Sequence, residues 1–236
     1  MAAVEAHLSL SLPDQIVLLL HGPNGRQHNG VNHDVVTPAA EVAELVMHGR
    51  AELTRSALGS VRIGLLDSTP LSFEPLERPL SVLAERVARK GKPIAFRTWL
   101  AERRGAFREQ RWSLWQRGYL EYIPEKLLGF IPRDRYRPHG ALLHELIGEL
   151  GQLARGERSL DDRLALLVAI AYPTGLHRRL LTLDRGQSRR LKHIAKGQPL
   201  EGAVSAAVAA AGAAVAHAVG SAGGGDGGGG GDGGGG

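Results

Sequence analysis

The 236-residue sequence contains no cysteine, which excludes a disulfide framework, a thiolate metal site and a cysteine nucleophile. Aromatic residues make up only 5% of it. It also lacks an apolar run of the roughly 20 residues that a membrane span needs, since the nearest, Ala203–Val219, is mostly alanine and contains His217. The first apolar run carries Asp14 and has no basic segment before it, so the sequence predicts no secretory signal. We therefore expect a soluble cytoplasmic protein.

Recognisable catalytic and metal-binding motifs are missing as well. The sequence has no P-loop, no dinucleotide-binding glycine pattern and no nucleophile elbow. His144 and Glu145 match the start of a zinc-protease helix, but Gly148 stands where the second zinc ligand belongs. Glu41 and Glu44 have helical spacing, so we expect them on a polar face rather than as an acid and base pair. The sequence thus predicts no enzyme activity, no catalytic residue, no metal site and no cofactor.

Charge is strongly segregated along the chain. The formal net charge is +5, yet Glu85–Arg117 has ten Lys and Arg against three Glu, and Arg178–Lys196 has seven against one Asp. The rest of the chain therefore has a net charge of −8. Two such positive segments build a local field that attracts phosphate-rich partners, such as nucleic acid or an anionic lipid surface.

Hydrophobic periodicity predicts a mainly α fold, a single helical domain with small β-hairpins, one of which protrudes after a basic helix. Helices are expected from Ser11 to Leu20 and over Pro38–His48, Pro75–Lys90, Pro93–Arg103, Gly105–Arg117, Leu142–Leu150, Leu160–Ala171, Gly175–Leu183, Gln187–Lys196 and Gly202–Val219. Two strand pairs are expected, Ala51–Thr54 with Val61–Leu65 and Tyr119–Ile123 with Lys126–Ile131. We expect the domain over residues 8–219, an N-terminal arm at 1–7 and a disordered glycine-rich tail at 220–236.

The basic helix predicted at Gly105–Arg117 is the main candidate site. Trp112 and Trp115 are interleaved with its basic residues. On a helix, the i, i+4 and i+7 positions share one face, and several guanidinium groups on one face suit a phosphate. The alternative is an ordinary solvated face whose arginines lie over the edge of the core. The arginines expected to be exposed are Arg103, Arg104, Arg108 and Arg111, of which the last three have this spacing.

The order of elements over Pro93–Ile131 also resembles a winged helix, in which a basic helix is followed by a hairpin. The alternative function is therefore nucleic-acid binding through the helix at 105–117, with the hairpin as the wing. Its phosphate contacts would give salt-sensitive binding. Only Gln110 and Gln116 on that helix have an amide side chain that can read bases.

Four segments in succession carry a resemblance to a known family. They are LSLPDQIVLLL, AAEVAELVMHGRAEL, LWQRGYLEYIPEKLLGFIP and LDDRLALLVAIAYPTGL, and the second includes the turn Glu44–Arg50. In this order and spacing they resemble the Golgi phosphoprotein 3-like family over roughly Leu8–Val219. The resemblance implies a mostly helical single domain with a protruding β-hairpin.

The same resemblance implies a lipid-binding adaptor. Eukaryotic members of the family bind phosphatidylinositol-4-phosphate on Golgi membranes and recruit the cytosolic tails of membrane enzymes. In the family's lipid site, a pair of basic residues precedes the hairpin, and it corresponds here to Arg104 and Arg108, with Arg111 one turn further on. The family's tryptophan corresponds to the neighbourhood of Asn29–Val31, and its arginine corresponds to Thr37–Ala39. Because neither residue is matched, the identity of the lipid stays open.

The predicted hairpin places four apolar residues within five positions, beside the basic helix. In the family this hairpin serves self-association and lies near the membrane, which implies a homo-oligomer through residues 119–131. The alternative is that the four side chains pack back on the domain. We therefore expect a peripheral membrane protein on the cytoplasmic face of a membrane, the Golgi in eukaryotic relatives. The four hairpin residues are Leu127, Leu128, Phe130 and Ile131.

Overall fold

The computed structural model describes residues 10–56, 60–71, 74–127, 130–132, 134–198 and 202–222. The predicted arm at 1–7 and nearly all of the predicted tail lie outside them. Within the described residues the fold is mainly α, as predicted, with ten helices and small antiparallel strand pairs. The helices are α1 Leu12–Leu19, α2 His33–Met47, α3 Glu74–Lys90, α4 Phe96–Glu102, α5 Ala106–Gln116, α6 Gly140–Arg155, α7 Asp162–Ala171, α8 His177–Leu180, α9 Arg185–Ala195 and α10 Gly202–Ala222. The strands are β1 Ala51–Arg55, β2 Val61–Leu65, β3 Ile94–Ala95, β4 Leu120–Ile123, β5 Lys126–Leu127, β6 Ile131–Pro132 and β7 Arg135–Pro138.

Helix α1 begins where the sequence predicts and lies at the centre of the core. Ser11 is its N-cap and forms a capping box with Asp14, while Pro13 occupies the first turn, where its missing N–H costs nothing. All of its residues are buried. It packs against α2, α5, α6 and α7.

Helix α2 begins at His33, five residues before the predicted start at Pro38. The side chain of Asn32 caps it by accepting a hydrogen bond from the Asp34 N–H, and Asn is among the most favoured N-cap residues. Pro38 lies inside the helix, and its carbonyl accepts the indole N–H of Trp99 at 2.8 Å, which ties α4 to α2. The helix ends before Gly49, as predicted, because that residue has a φ of +64°.

A three-stranded sheet follows α2. Strands β1 and β2 pair antiparallel, with Ala51 opposite Leu65 at one end and Arg55 opposite Val61 at the other. This confirms the predicted pair. The sequence did not predict β3, which pairs with β2 through Ile94 and Ile63. The helix expected from Pro93 begins only at Phe96 because the two residues after Pro93 are taken into the sheet.

The predicted pairing of Tyr119–Ile123 with Lys126–Ile131 is wrong. Strand β4 pairs with β7, and β5 pairs with β6. The register is continuous, since advancing from Ile123 to Lys126 moves the partner three residues back, from Arg135 to Pro132. The four strands form two separate two-stranded sheets in one antiparallel register, which we together call the β-ribbon, and its reversal lies between β5 and β6. Pro124 and Glu125 continue the strand direction instead of reversing it. Strand β7 was not predicted because its sequence, RYRP, has no apolar alternation.

The C-terminal helices follow the predicted leucine stripes, and Leu142, Leu146 and Leu150 of α6 are buried as expected. Helix α8 is a single turn within the longer helix predicted there, and α10 extends to Ala222, past the predicted end. A Cβ on Gly212 would lie 2.5 Å from the carbonyl of Ala195, so glycine is what allows α10 to approach the end of α9 this closely. No helix in the described ranges combines the length and apolarity needed to cross a membrane.

Candidate functional site

A buried carboxylate of α1 fixes the position of α5. Asp14 is fully buried, and its Oδ2 accepts hydrogen bonds from the Ser11 N–H at 3.0 Å and the Ser11 hydroxyl at 2.9 Å. Its Oδ1 accepts the amide of Gln110 at 2.5 Å and the guanidinium of Arg117. One carboxylate thus joins the N-terminus of α1 to the middle and the end of α5. The side-chain amide of Gln110 is therefore engaged in this hydrogen bond.

Arg103, which was expected to be exposed, is buried just before α5. Its Nε and Nη2 donate to the two carboxylate oxygens of Glu41 at 3.0 and 2.7 Å, and Nη2 also reaches Glu109 at 2.9 Å. Burial lowers the pKa of Arg103, but its hydrogen bonds and charge interactions with Glu41 and Glu109 outweigh burial and leave the pKa above its ordinary value. Arg103 therefore stays charged and joins α2 to α5 through Glu41 and Glu109, and it is buried rather than exposed as expected.

Glu44 is buried too, and the expectation of a polar face for Glu41 and Glu44 is wrong. Its Oε2 accepts the N–H of Leu12 at 2.6 Å, and Arg163 donates to both carboxylate oxygens at 3.1 and 2.9 Å. Helix α2 has no polar face over 35–45, because neighbouring helices and the sheet bury every residue there. These glutamates are structural anchors, and their partners come from elsewhere in the chain.

Arg104 and Arg108 remain open to solvent. Both side chains are exposed, and neither has an ion pair within the part of the chain that the structure describes. Arg104 lies in the turn before α5, so only Arg108 and Arg111 of the predicted trio lie on the helix itself. Two guanidinium groups without an ion pair in the described residues thus lie at the N-terminal end of α5.

Arg111 is half-buried and packs between aromatic rings. Its guanidinium lies 4.2 Å from the ring centre of Tyr136 and 5.2 Å from that of Phe107. Burial lowers its pKa. The ring of Phe107 in turn stacks on His33 at 4.6 Å and on His21 at 5.7 Å. Arg111 therefore lies beside the start of α2, the region that the family resemblance assigns to the first half of the lipid site.

An aromatic ladder, defined as Trp112, Trp115, Tyr122 and Tyr136, joins α5 to the β-ribbon. Neighbouring ring centres lie 4.6 Å apart for Trp112 and Trp115, 6.2 Å for Trp115 and Tyr122, and 5.3 Å for Tyr122 and Tyr136. These are the separations of interacting aromatic pairs. The ladder fixes the base of the ribbon against the basic helix.

Three aromatic side chains on these two elements are exposed to solvent. Trp112 is 52% exposed, Tyr122 38% and Phe130 72%, and in the described residues the one other large hydrophobic side chain so exposed is Leu66. Phe130 lies at the reversal of the ribbon. Leu128 lies outside the described residues, as do the side chains of Leu127 and Ile131. We call these exposed groups the basic–aromatic face, and it consists of Arg104, Arg108, Trp112, Tyr122 and Phe130.

The loop between α1 and α2 brings a further cation close to this region. A Cβ on Gly30 would lie 3.5 Å from a guanidinium nitrogen of Arg179, and burial together with Arg179 lowers the pKa of His28. Sequence reasoning missed Arg179 because it belongs to the other basic segment. His21 is buried, and its Nδ1 lies 2.7 Å from the Val17 carbonyl, while its Nε2 has no partner in the described structure.

No group of three or more potential ligands (His, Asp or Glu) is placed to hold a metal ion among the described residues. The basic–aromatic face offers guanidinium charge and exposed aromatic rings. A protein-family model described as Golgi phosphoprotein 3 (GPP34) matches residues 12–211. A search of curated proteins finds no match.

Proposed function

The chain belongs to the Golgi phosphoprotein 3 family, and from this premise we propose that it is a non-enzymatic, peripheral membrane protein that binds anionic lipid through its basic–aromatic face. One observation carries the proposal. Three of the four exposed large hydrophobic side chains of the described residues come from α5 and the ribbon, and the exposed Arg104 and Arg108, which have no ion pair in those residues, lie just before α5 and within it.

Basic side chains and apolar side chains contribute to the free energy of membrane binding in different ways. Basic residues near an anionic leaflet contribute roughly 1 kcal/mol each. An aromatic or aliphatic side chain contributes about 1.5–3 kcal/mol if it is fully buried in the bilayer, and Trp and Tyr favour the level of the head groups. A few such groups give reversible binding rather than permanent anchoring.

The ligand we propose is anionic lipid in general rather than one phosphoinositide. Where the family has an arginine, Thr37 and Ala39 are buried inside α2, so no side chain there reaches a head group. Arg179 beside the loop supplies a cation from a different part of the chain. By analogy with the family, we propose an adaptor on the cytoplasmic face of a membrane, with the tails of membrane proteins as partners.

Nucleic-acid binding is less well supported by the same helix. Of its two amide side chains, Gln110 is buried and bound to Asp14, which leaves Gln116 as the one exposed amide. Arg111 is packed against Tyr136 and Phe107. Such a helix can contact phosphates but has few groups with which to read bases.

Co-sedimentation with vesicles tests the proposal. Phosphatidylcholine vesicles are compared with vesicles that also contain phosphatidylserine or phosphatidylinositol-4-phosphate, each at low and at physiological salt. We expect the protein to sediment with both anionic compositions and not with phosphatidylcholine, and to bind less at higher salt. Failure to bind either anionic composition at low salt would contradict the proposal. A preference for duplex DNA over vesicles in a competition assay would reverse it in favour of nucleic acid.

A further inference from the structure

A cavity of about 720 Å³ lies between the three-stranded sheet, α4, the first turn of α2 and α10. None of its lining residues belongs to the basic–aromatic face. Its volume falls within the roughly 300–1,000 Å³ of typical small-molecule sites. Neither the family match nor the proposed membrane contact assigns it a ligand.

One part of the cavity wall is apolar. Val61 of β2, Phe96 of α4 and Ala214 of α10 line it, and each is buried in the fold. Helix α10 contributes mainly alanine here, including Ala213 and Ala214. Because these methyl groups do not fill the space between the helix and the sheet, they leave room for a hydrocarbon body.

The other part of the wall is basic. Arg55 ends β1 and Arg97 lies in the first turn of α4, and both side chains are exposed with no ion pair in the described residues. Arg62 donates to the Pro93 carbonyl at 3.3 Å, and His217 of α10 lies on the same wall. No aspartate or glutamate is found among the described lining residues, so this charge is not neutralised within the cavity.

We propose that this cavity binds an amphipathic anion. The carboxylate or phosphate monoester of the ligand lies against Arg55 and Arg97, and its hydrocarbon body lies against Phe96 and the alanines of α10. Charged hydrogen bonds to guanidinium groups suit both acid groups, while the apolar wall selects against a small inorganic anion. The site is separate from membrane binding and does not depend on it.

Calorimetric titration of the full chain with four probes tests the ligand class. The probes are octyl phosphate, octanoate, inorganic phosphate and octanol, each used below any micellar concentration. We expect one-to-one binding of octyl phosphate and octanoate, at least tenfold tighter than binding of inorganic phosphate or octanol. Equal affinity for inorganic phosphate, equal affinity for octanol, or no binding of either amphipathic anion would overturn the proposal.

Two independent variants test the location. The double variant Arg55→Gln, Arg97→Gln removes the charge from exposed positions and should weaken octyl phosphate binding at least tenfold, the usual size of a lost charged hydrogen bond. Ala213→Phe should weaken it by filling the cavity. Thermal melting establishes whether each variant is folded. If Ala213→Phe does not fold, the location of the site is decided by the Arg55→Gln, Arg97→Gln variant.

The matched control is Arg185→Gln, Lys192→Gln, which removes equal charge from exposed positions on α9, outside both the cavity and the basic–aromatic face, and should leave octyl phosphate binding unchanged. If the control pair weakens binding and the cavity pair does not, the anion binds elsewhere and the proposal fails. Vesicle co-sedimentation of the Arg55→Gln, Arg97→Gln protein should match that of the wild type. The two functions can therefore fail separately.

Discussion

Arg103 and Arg104 are neighbours in sequence with opposite environments. Arg103 is buried against Glu41 and Glu109, and Arg104 is exposed without an ion pair in the described residues. Nothing in the local sequence separates them, because Glu41 lies 62 residues away on α2. The sequence predicted which segment is basic, but the choice between a structural and a binding arginine depends on long-range packing.

Replacing Arg103 with alanine is expected to lower the free energy of unfolding by about 3–5 kcal/mol, because Glu41 is left buried without its cation. Urea denaturation measures this. Arg104→Ala is the matched control and should change stability by about 0.5 kcal/mol or less. Equal effects of the two variants would contradict the assignment of Arg103 to the core.

The double variant Arg104→Ala, Arg108→Ala is expected to weaken binding to anionic vesicles by about 2 kcal/mol, or about 30-fold, without altering stability. Co-sedimentation over a lipid titration gives the affinity. The control pair, Arg185→Ala with Lys192→Ala, removes equal charge from exposed positions on α9. If both pairs weaken binding equally, the attraction is spread over the whole protein and no localised face exists.

Stability should also depend on pH through His21. Burial lowers the pKa of His21 to about 4, below the value of 6.5 that it has when unfolded. The unfolded chain therefore binds the proton more readily between these two values. Stability is fully present above pH 6.5 and falls as the pH drops toward 4, by up to about 3 kcal/mol. Urea denaturation at pH 7.5 and pH 5 should show a smaller loss for His21→Asn than for the wild type, whereas exposed His144→Asn should not differ from the wild type.

Among the elements, helices were predicted far better than strand pairing. Leucine stripes and caps are local signals, and they located α1, α3, α5, α7 and α9 closely. The β-ribbon was mispaired because its apolar run, Lys126–Ile131, contains the reversal, and because the strand that pairs with β4 is charged and aromatic. The aromatic ladder depends on that pairing, so the sequence could not predict it.

The ribbon should contribute to membrane binding through its exposed tip. Phe130→Ser removes the most exposed large hydrophobic side chain in the described residues. It is expected to weaken vesicle binding about tenfold, which corresponds to the lower end of the free energy gained by burying such a side chain in the bilayer. Co-sedimentation at physiological salt measures this best, because charge attraction is screened there. Leu66→Ser is a control with a similarly exposed side chain on another element. Unchanged binding by the Phe130 variant would show that the tip does not enter the bilayer.

In the whole molecule, the charge segregation of the sequence survives folding. The acidic anchors Asp14, Glu41 and Glu44 are buried and paired, which joins α1, α2 and α5 and leaves other arginines unneutralised at the surface. Arg179 of the second basic segment comes to lie beside the loop before α2. The fold thus brings a cation of the second basic segment to the loop that leads into α2, far from it in sequence.

Tryptophan fluorescence can report whether the basic–aromatic face contacts the membrane, because the three tryptophans differ in burial. Trp99 is fully buried, Trp115 is half-buried and Trp112 is 52% exposed on the basic–aromatic face. On addition of anionic vesicles, we expect the tryptophan emission to shift to shorter wavelength and brominated lipid to quench it, because Trp112 moves from water to the head-group region. Both responses should be lost in Trp112→Phe and kept in Trp99→Phe. Vesicle binding with no shift, or with a shift that persists in Trp112→Phe, would show that the membrane meets another face.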